Sequence, residues 1–204
     1  DHRKFYPDAK KDDFLVIGGS EFHINDCDER RAYHIVGLGI DREIYTDDTF
    51  SPQRIIDEVN RQHGLAILAH PSWSLLTHDD LISLRNYIGI EIWNSVSDAY
   101  SGRGLSIDYL DVLASKGVFK LAFAVDDTHF YQRDLGGGYI MVNSPDLNRR
   151  SILDAIKKGR FYCSQGPEIK QINIENGILN VETSPVKKIS FMTGLFFCSD
   201  RIYM

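Results

Sequence analysis

The chain has 204 residues and a net charge of −6, from 23 Lys and Arg against 29 Asp and Glu. Hydrophobic residues make up 43% and charged residues 25%, ordinary globular proportions that exclude a disordered, collagenous or coiled-coil chain. The acidic balance, without a basic stripe, argues against long nucleic acid as a partner, and no apolar run approaches the roughly 18 residues of a membrane span.

Phe14–Ile17 is an apolar run closed by Gly18 and Gly19, and predicts a buried strand. His34–Ile40 predicts another. Ser51 suits a helix N-cap and Pro52 the first helical position; Ile55, Ile56 and Val59 supply the apolar stripe and Gly64 the stop. Leu65–Ala69 reads as a buried strand running into His70-Pro71. A short helix over Asp79–Asn86 leads to a strand over Gly89–Trp93. Ser106–Lys116 reads as a helix with Ile107, Leu110, Leu113 and Ala114 on one face. Phe119–Val125 is a strand ending in Asp126-Asp-Thr-His129, Gly138–Val142 a further strand, and Leu147–Lys158 a helix stopped by Gly159. Apolar strands separated by helices predict an α/β domain with a largely parallel sheet or barrel. After Pro167 the texture changes. Ile169–Asn176, Ile178–Thr183, Lys188–Met192 and Leu195–Cys198 read as short antiparallel strands with turns at Asn176-Gly177 and Ser184-Pro185. The division is therefore 1–167 and a β-rich appendage, 168–204. Phe191, Phe196, Phe197 and Tyr203 are either the appendage's small core or a partner surface.

Cys27, Cys163 and Cys198 are odd in number, scattered, and lack a Cys-x-x-Cys. They read as free thiols in a reducing compartment, hence a cytoplasmic protein.

Polar residues able to do chemistry gather where apolar strands end, the usual place for a ligand site in a parallel α/β fold. Asp127 and His129, two apart, point to one side if extended, with Cα atoms about 7 Å apart. A carboxylate beside an imidazole suits zinc, iron or manganese rather than calcium. His70 stands where a buried strand emerges. Glu21 follows Gly18-Gly-Ser20 and has two oxygens with which to bridge two ions. His34 opens a strand and is structural in isolation. His23, His63 and His78 read as structural or surface residues. Singly each candidate has an ordinary explanation; delivered together to one rim they form a metal-cluster layout.

In order and context, Gly18-Gly-Ser-Glu21, His34, Leu68-Ala-His-Pro71 and Asp126-Asp-Thr-His129 resemble the motifs of the PHP (polymerase and histidinol phosphatase) superfamily. Gly89-Ile-Glu-Ile-Trp-Asn94 and Gly159–Pro167 are similar to further segments of it. The resemblance covers residues 1–167 and is nearest to stand-alone PHP phosphoesterases and CehA-like metallohydrolases. It implies a distorted (β/α)7 barrel with two or three divalent ions, Mn, Zn or Fe. Carried onto this chain, it makes His2, Glu21, His34, His70, Asp127 and His129 the metal ligands, with Asp127 and His129 at the catalytic centre. The family's opening His-x-His is absent from the chain, which implies that the first β-α unit, roughly 30 residues, lies upstream of Asp1 or that the site is degenerate.

The implied activity is hydrolysis of a small phosphomonoester or nucleotide by a metal-activated water. Arg103, Arg133 and Arg160 are the candidate phosphate-binding cations. Hydrolysis of a carbamate or other non-phosphate ester, and a non-catalytic binding or regulatory module, stay open. No membrane partner is implied.

Overall fold

Residues 4–25, 31–47, 49–192 and 202–203 are described by a computed structural model of the chain. They divide into two compact units, Asp1–Cys163 and Ser164–Met204.

In the first unit, β1 (Ala9–Lys11) and β2 (Phe14–Val16) form an antiparallel hairpin. This corrects the reading of Phe14–Ile17 as a buried strand: Phe14 is 69% exposed and Val16 41%. An apolar run of three or four residues does not specify its own burial; a second packed layer must cover it, and among the described residues none covers Phe14 and Val16.

The main sheet has the order β3-β4-β5-β6-β7. Its strands are β3 (Gly19–Asn25), β4 (Ala32–Leu38), β5 (Leu65–Leu68), β6 (Gly89–Asn94) and β7 (Leu121–Val125). The β3–β4 and β4–β5 pairings are antiparallel, and β5–β6 and β6–β7 parallel. The sheet is therefore mixed and open, with β3 and β7 as its edges, and the expected barrel does not close. Burial on both faces makes a strand apolar throughout whichever way its neighbour runs, so the apolar runs could not report direction.

Helix α1 (Pro52–Arg61) begins as its sequence dictates, with Ser51 Oγ accepting from the Arg54 N–H at 3.2 Å. Ile55, Ile56 and Val59 are fully buried, each contributing about 1.5–3 kcal/mol. The reversal after α1 falls on His63, at φ 61°. Gly64 serves packing instead, since a Cβ there would stand 2.8 Å from Ile40 Cγ2. Helix α2 (His78–Ser83) opens with a capping box between Thr77 and Asp80.

Helix α3 (Ser95–Ser101) carries a short apolar stripe, Val96, Ala99 and Tyr100, that the sequence reading passes over; Asn94 caps it through Ser97 N–H. Helix α4 (Ile107–Ser115) turns Tyr109 and Leu113 inward, leaving Ile107 38% exposed. A separate two-stranded sheet pairs β8 (Tyr139–Val142) with β9 (Phe161–Ser164), and α5 (Arg149–Lys157) lies between them in the chain. The main core gathers Phe22, Ile35, Leu68, Leu81 and Ile90.

In the second unit, β10 (Ile169–Glu175) and β11 (Ile178–Thr183) form an antiparallel hairpin. Its two turn residues, Asn176 and Gly177, have φ 51° and 79°, as the Asn-Gly pair demands. β12 (Ile189–Ser190) pairs antiparallel with β13 (Ile202–Tyr203). Phe191 and Tyr203 meet edge to face with centroids 6.1 Å apart. Phe196, Phe197 and the expected strand over Leu195–Cys198 lie outside the described residues, as do Cys27 and Cys198. Among the described residues no helix is long and apolar enough to cross a membrane.

Candidate metal centre

Regular strand alternation places the first two groups. His23 pairs with His34 and Glu21 with Val36 across β3–β4, so Glu21, His23 and His34 share one face of the sheet. Glu21 is thus a mid-strand residue on an antiparallel edge, not the loop residue that the preceding glycines suggested. His34 Nδ1 lies 2.9 Å from Glu21 Oε1, and His34 Nε2 2.6 Å from His23 Nδ1.

The next groups come from the ends of the parallel strands. His70 follows β5 with φ 26°, and Asp127 follows β7 with φ 51°. Both conformations are strained for non-glycine residues, and the surroundings hold them. The His70 N–H donates to Glu91 Oε2 at 3.0 Å, and the His70 ring meets Ser74 Oγ at 3.1 Å. Asn94 Nδ2 donates to both Glu91 Oε2, at 3.0 Å, and Asp127 Oδ2, at 3.1 Å. Neighbouring Asp126 turns the other way. It accepts from the backbone N–H groups of Gly136, Gly137 and Gly138 and from Ser95 Oγ, all within 2.5–2.9 Å. The pair divides its work: Asp126 ties the loop down and Asp127 faces the site.

Glu21, His34 and His70 present ligand atoms within 4.8 Å of one another. His70 Nε2 is 3.5 Å from Glu21 Oε1 and 3.8 Å from Asp127 Oδ2. Two ligand atoms on one tetrahedral ion, with bonds of about 2.1 Å, stand about 3.4 Å apart, so these separations fit a shared cation better than direct hydrogen bonds. His129 Nδ1 donates to its own Asp127 carbonyl at 2.6 Å, leaving Nε2 without a partner among the described residues. His129 lines two cavities, one beside His34, His70 and Asp127 and another beside Glu21.

The charge states follow from burial and neighbours. Burial pushes the Glu21 carboxyl up, but hydrogen bonds to His34 and His70 outweigh it and hold Glu21 well below the ordinary carboxylate range. Burial lowers His34. It also works against a charged His70, yet Glu21, Glu91 and Asp127 outweigh it and His70 is raised. Burial, then the Glu21 charge, raises Asp127. Burial brings Glu91 to about 7. Three carboxyl groups thus surround two buried imidazoles, and among the described residues no Lys or Arg lines the cavity at His34 and His70. That donor set and its surplus negative charge suit a cation.

The proposed arginines are not brought to this cavity. Arg160 lies at the far end of β7: its carbonyl accepts from Asn143, preceding Gly159 stands beside Leu121, and its guanidinium pairs with Asp154 at 3.1 Å. Arg103 and Arg133 are exposed loop residues that do not line it. His2 lies outside the described residues. Sequence reasoning passed over Glu91, whose acidic group inside an apolar strand was a readable signal. It also passed over Trp73, Tyr100 and Phe130, which line the cavity, and Lys4, which lines the one beside Glu21.

No protein-family model and no curated protein matches the chain. Among solved structures, the chain is similar to a two-domain protein containing a predicted PHP-like metal-dependent phosphoesterase from Bacteroides vulgatus ATCC 8482. The TM-score is 0.52 at 11% identity, over 91% of this chain and 62% of that one. The chain spans somewhat under two thirds of that protein's length, and at this identity the likeness is one of fold.

Proposed function

We propose that the protein is a metal-dependent hydrolase acting on a phosphoester. The observation that carries this reading is the grouping of Glu21, His34 and His70, whose ligand atoms lie within 4.8 Å of one another, with Asp127 Oδ2 3.8 Å from His70 Nε2. The fold shared with a protein containing a predicted PHP-like metal-dependent phosphoesterase supports it.

Glu21, His34 and His70 would hold one divalent ion; Asp127 and His129 would hold a second, with Glu21 between them. Mixed imidazole and carboxylate donors favour zinc, iron or manganese. When bound, such an ion supplies Lewis acidity to water and to phosphoryl oxygens. The chain's own groups do the rest. Glu91 and Asn94 fix the backbone of His70 and the carboxylate of Asp127. His129, with its Nδ1 tied to the Asp127 carbonyl, has Nε2 left for that second ion. Among the described residues no Lys or Arg lines the cavity, which favours, as a second reading, a non-phosphate ester such as a carbamate, whose cleavage needs no clamp on a dianion.

The test is hydrolysis of p-nitrophenyl phosphate, nucleoside monophosphates and a p-nitrophenyl carbamate by full-length protein supplemented with manganese, zinc or iron. The expected result is phosphoester turnover that falls about 100-fold or more in Asp127→Ala, together with a lower metal content by elemental analysis in Glu21→Ala. Equal turnover by wild type and Asp127→Ala overturns the reading. Turnover of the carbamate alone selects the second one.

A further inference from the structure

The polar cluster occupies one side of its cavity. The other side is apolar and is assembled from three separate elements. The turn after β5 folds back, with Ser74 N–H donating to the His70 carbonyl at 3.1 Å, and sets Trp73 against the site. The Trp73 ring lies 4.9 Å from that of His70 and 5.3 Å from that of His34. Helix α3 contributes Val96 and Tyr100, and the loop after β7 contributes Phe130, whose ring centroid is 4.7 Å from that of Tyr100. These rings are not core residues: Trp73 is 39% exposed, Tyr100 50% and Phe130 57%. Exposed apolar surface forgoes about 25 cal/mol for each Å² left in water, and rings gathered around a hollow recover that only when something apolar fills it. Few precisely directed polar groups on one wall and aromatic groups on the other is the usual lining of a small-molecule site.

The size of the hollow limits its occupant. Its volume is 220 Å³. A cavity of about 150 Å³ holds a benzene molecule, and sites for drug-sized ligands start at about 300 Å³. One six-membered ring with a few further atoms fills it. Among the described residues its lining offers no cation for a second phosphate.

We infer that this cavity takes the leaving group of the substrate as a single aromatic ring, packed against Trp73, Tyr100 and Phe130. The ester is then an aryl ester rather than a nucleotide. The inference rests on the hydrolase reading and narrows its substrate class.

The test separates the two. Full-length protein loaded with zinc, which is diamagnetic, is titrated with phenylphosphonate and methylphosphonate, which cannot be hydrolysed at the ester position, and with 4-methylphenol, which carries the ring without the anion. Binding is followed through the Trp73 indole N–H resonance, assigned with Trp73→Phe. Phenylphosphonate is expected to bind at least 10-fold more tightly than methylphosphonate. Tyr100→Ala and Phe130→Ala should each weaken phenylphosphonate and 4-methylphenol about 5-fold while leaving methylphosphonate unchanged, and Phe130→Leu should lie in between. Saturable 4-methylphenol binding that depends on Tyr100, with neither phosphonate bound, upholds the ring site and removes the phosphoester reading. Equal affinity for the two phosphonates, or no saturable 4-methylphenol binding, overturns the ring site even where hydrolysis is intact.

Discussion

The two halves of the main sheet deliver site residues by different means. In the antiparallel half, Glu21 and His34 sit inside β3 and β4, and strand alternation with register alone aims them. In the parallel half, His70 and Asp127 stand just past β5 and β7 at φ 26° and 51°, where unfavourable backbone must be held by Glu91, Asn94 and the Asp126 loop anchor. Register makes a ligand difficult to move but simple to specify. A strand end makes it adjustable, at the expense of a supporting set of hydrogen bonds. The cluster combines a fixed pair with an adjustable pair.

The contrast extends to packing and can be broken there. A methyl added at Gly89, where β6 meets β7, would stand 2.3 Å from the Leu121 carbonyl oxygen and 2.5 Å from Phe123. Backbone cannot swing aside, so Gly89→Ala is expected to destabilise by about 3 kcal/mol in urea denaturation. At Gly37 in β4 the nearest atoms are side-chain ends, Val59 Cγ2 at 2.9 Å and Phe22 Cε2 at 3.2 Å, and Gly37→Ala should cost about 1 kcal/mol. Equal losses would show that the parallel pairing is no tighter than the antiparallel one.

A smaller effect tests the supporting set. Glu91→Ala removes the acceptor of the His70 N–H and of Asn94 and should be about 2 kcal/mol less stable than Glu91→Gln, which keeps an oxygen there. Indistinguishable midpoints would mean that His70 holds its conformation unaided. The smallest effect is at the outer edge of the parallel half. Burial pushes the Cys163 thiol up to about 11, and its Sγ lies 3.1 Å from the Ala122 carbonyl of β7. At pH 8 the thiolate is then scarce, so in peptide mass spectrometry Cys163 should resist iodoacetamide in folded protein and label in urea. Rapid labelling of native protein would show that this edge opens.

The parts of the fold legible in the sequence were those whose signals are local. Ser51 and Pro52 start α1, Asn176-Gly177 makes its turn, and Leu65–Leu68 is buried on both faces. What escaped depends on partners distant in the chain. Strand β3 does alternate, Phe22 and Ile24 against Glu21 and His23, but the two glycines before it read as a turn. Helix α3 is specified by one cap, Asn94, and by a stripe of only three residues, Val96, Ala99 and Tyr100, too short to be read as a helix. The site shows the same division. His70 and Asp127 announce themselves by ending apolar runs, whereas the grouping of Trp73, Tyr100 and Phe130 exists only after β5, α3 and the β7 loop have been folded side by side.

The fastening of the loop after β7 has a consequence for how such a site diversifies. Asp126 secures the far end through Gly136–Gly138, and Asp134 secures the near end by accepting from the backbone of His129 and Phe130 at 2.7 and 2.8 Å. The donors to Asp134 are main-chain N–H groups that nearly any amino acid supplies, whereas those to Asp126 need glycine, since a Cβ on Gly138 would stand 2.3 Å from Trp93 Cδ1 and Gly136 has φ 75°. The stretch 130–133 is therefore a cassette between two clasps: its side chains can be exchanged without disturbing Asp127, so on the proposed reading the leaving group can change while the proposed metal ligands stay in place.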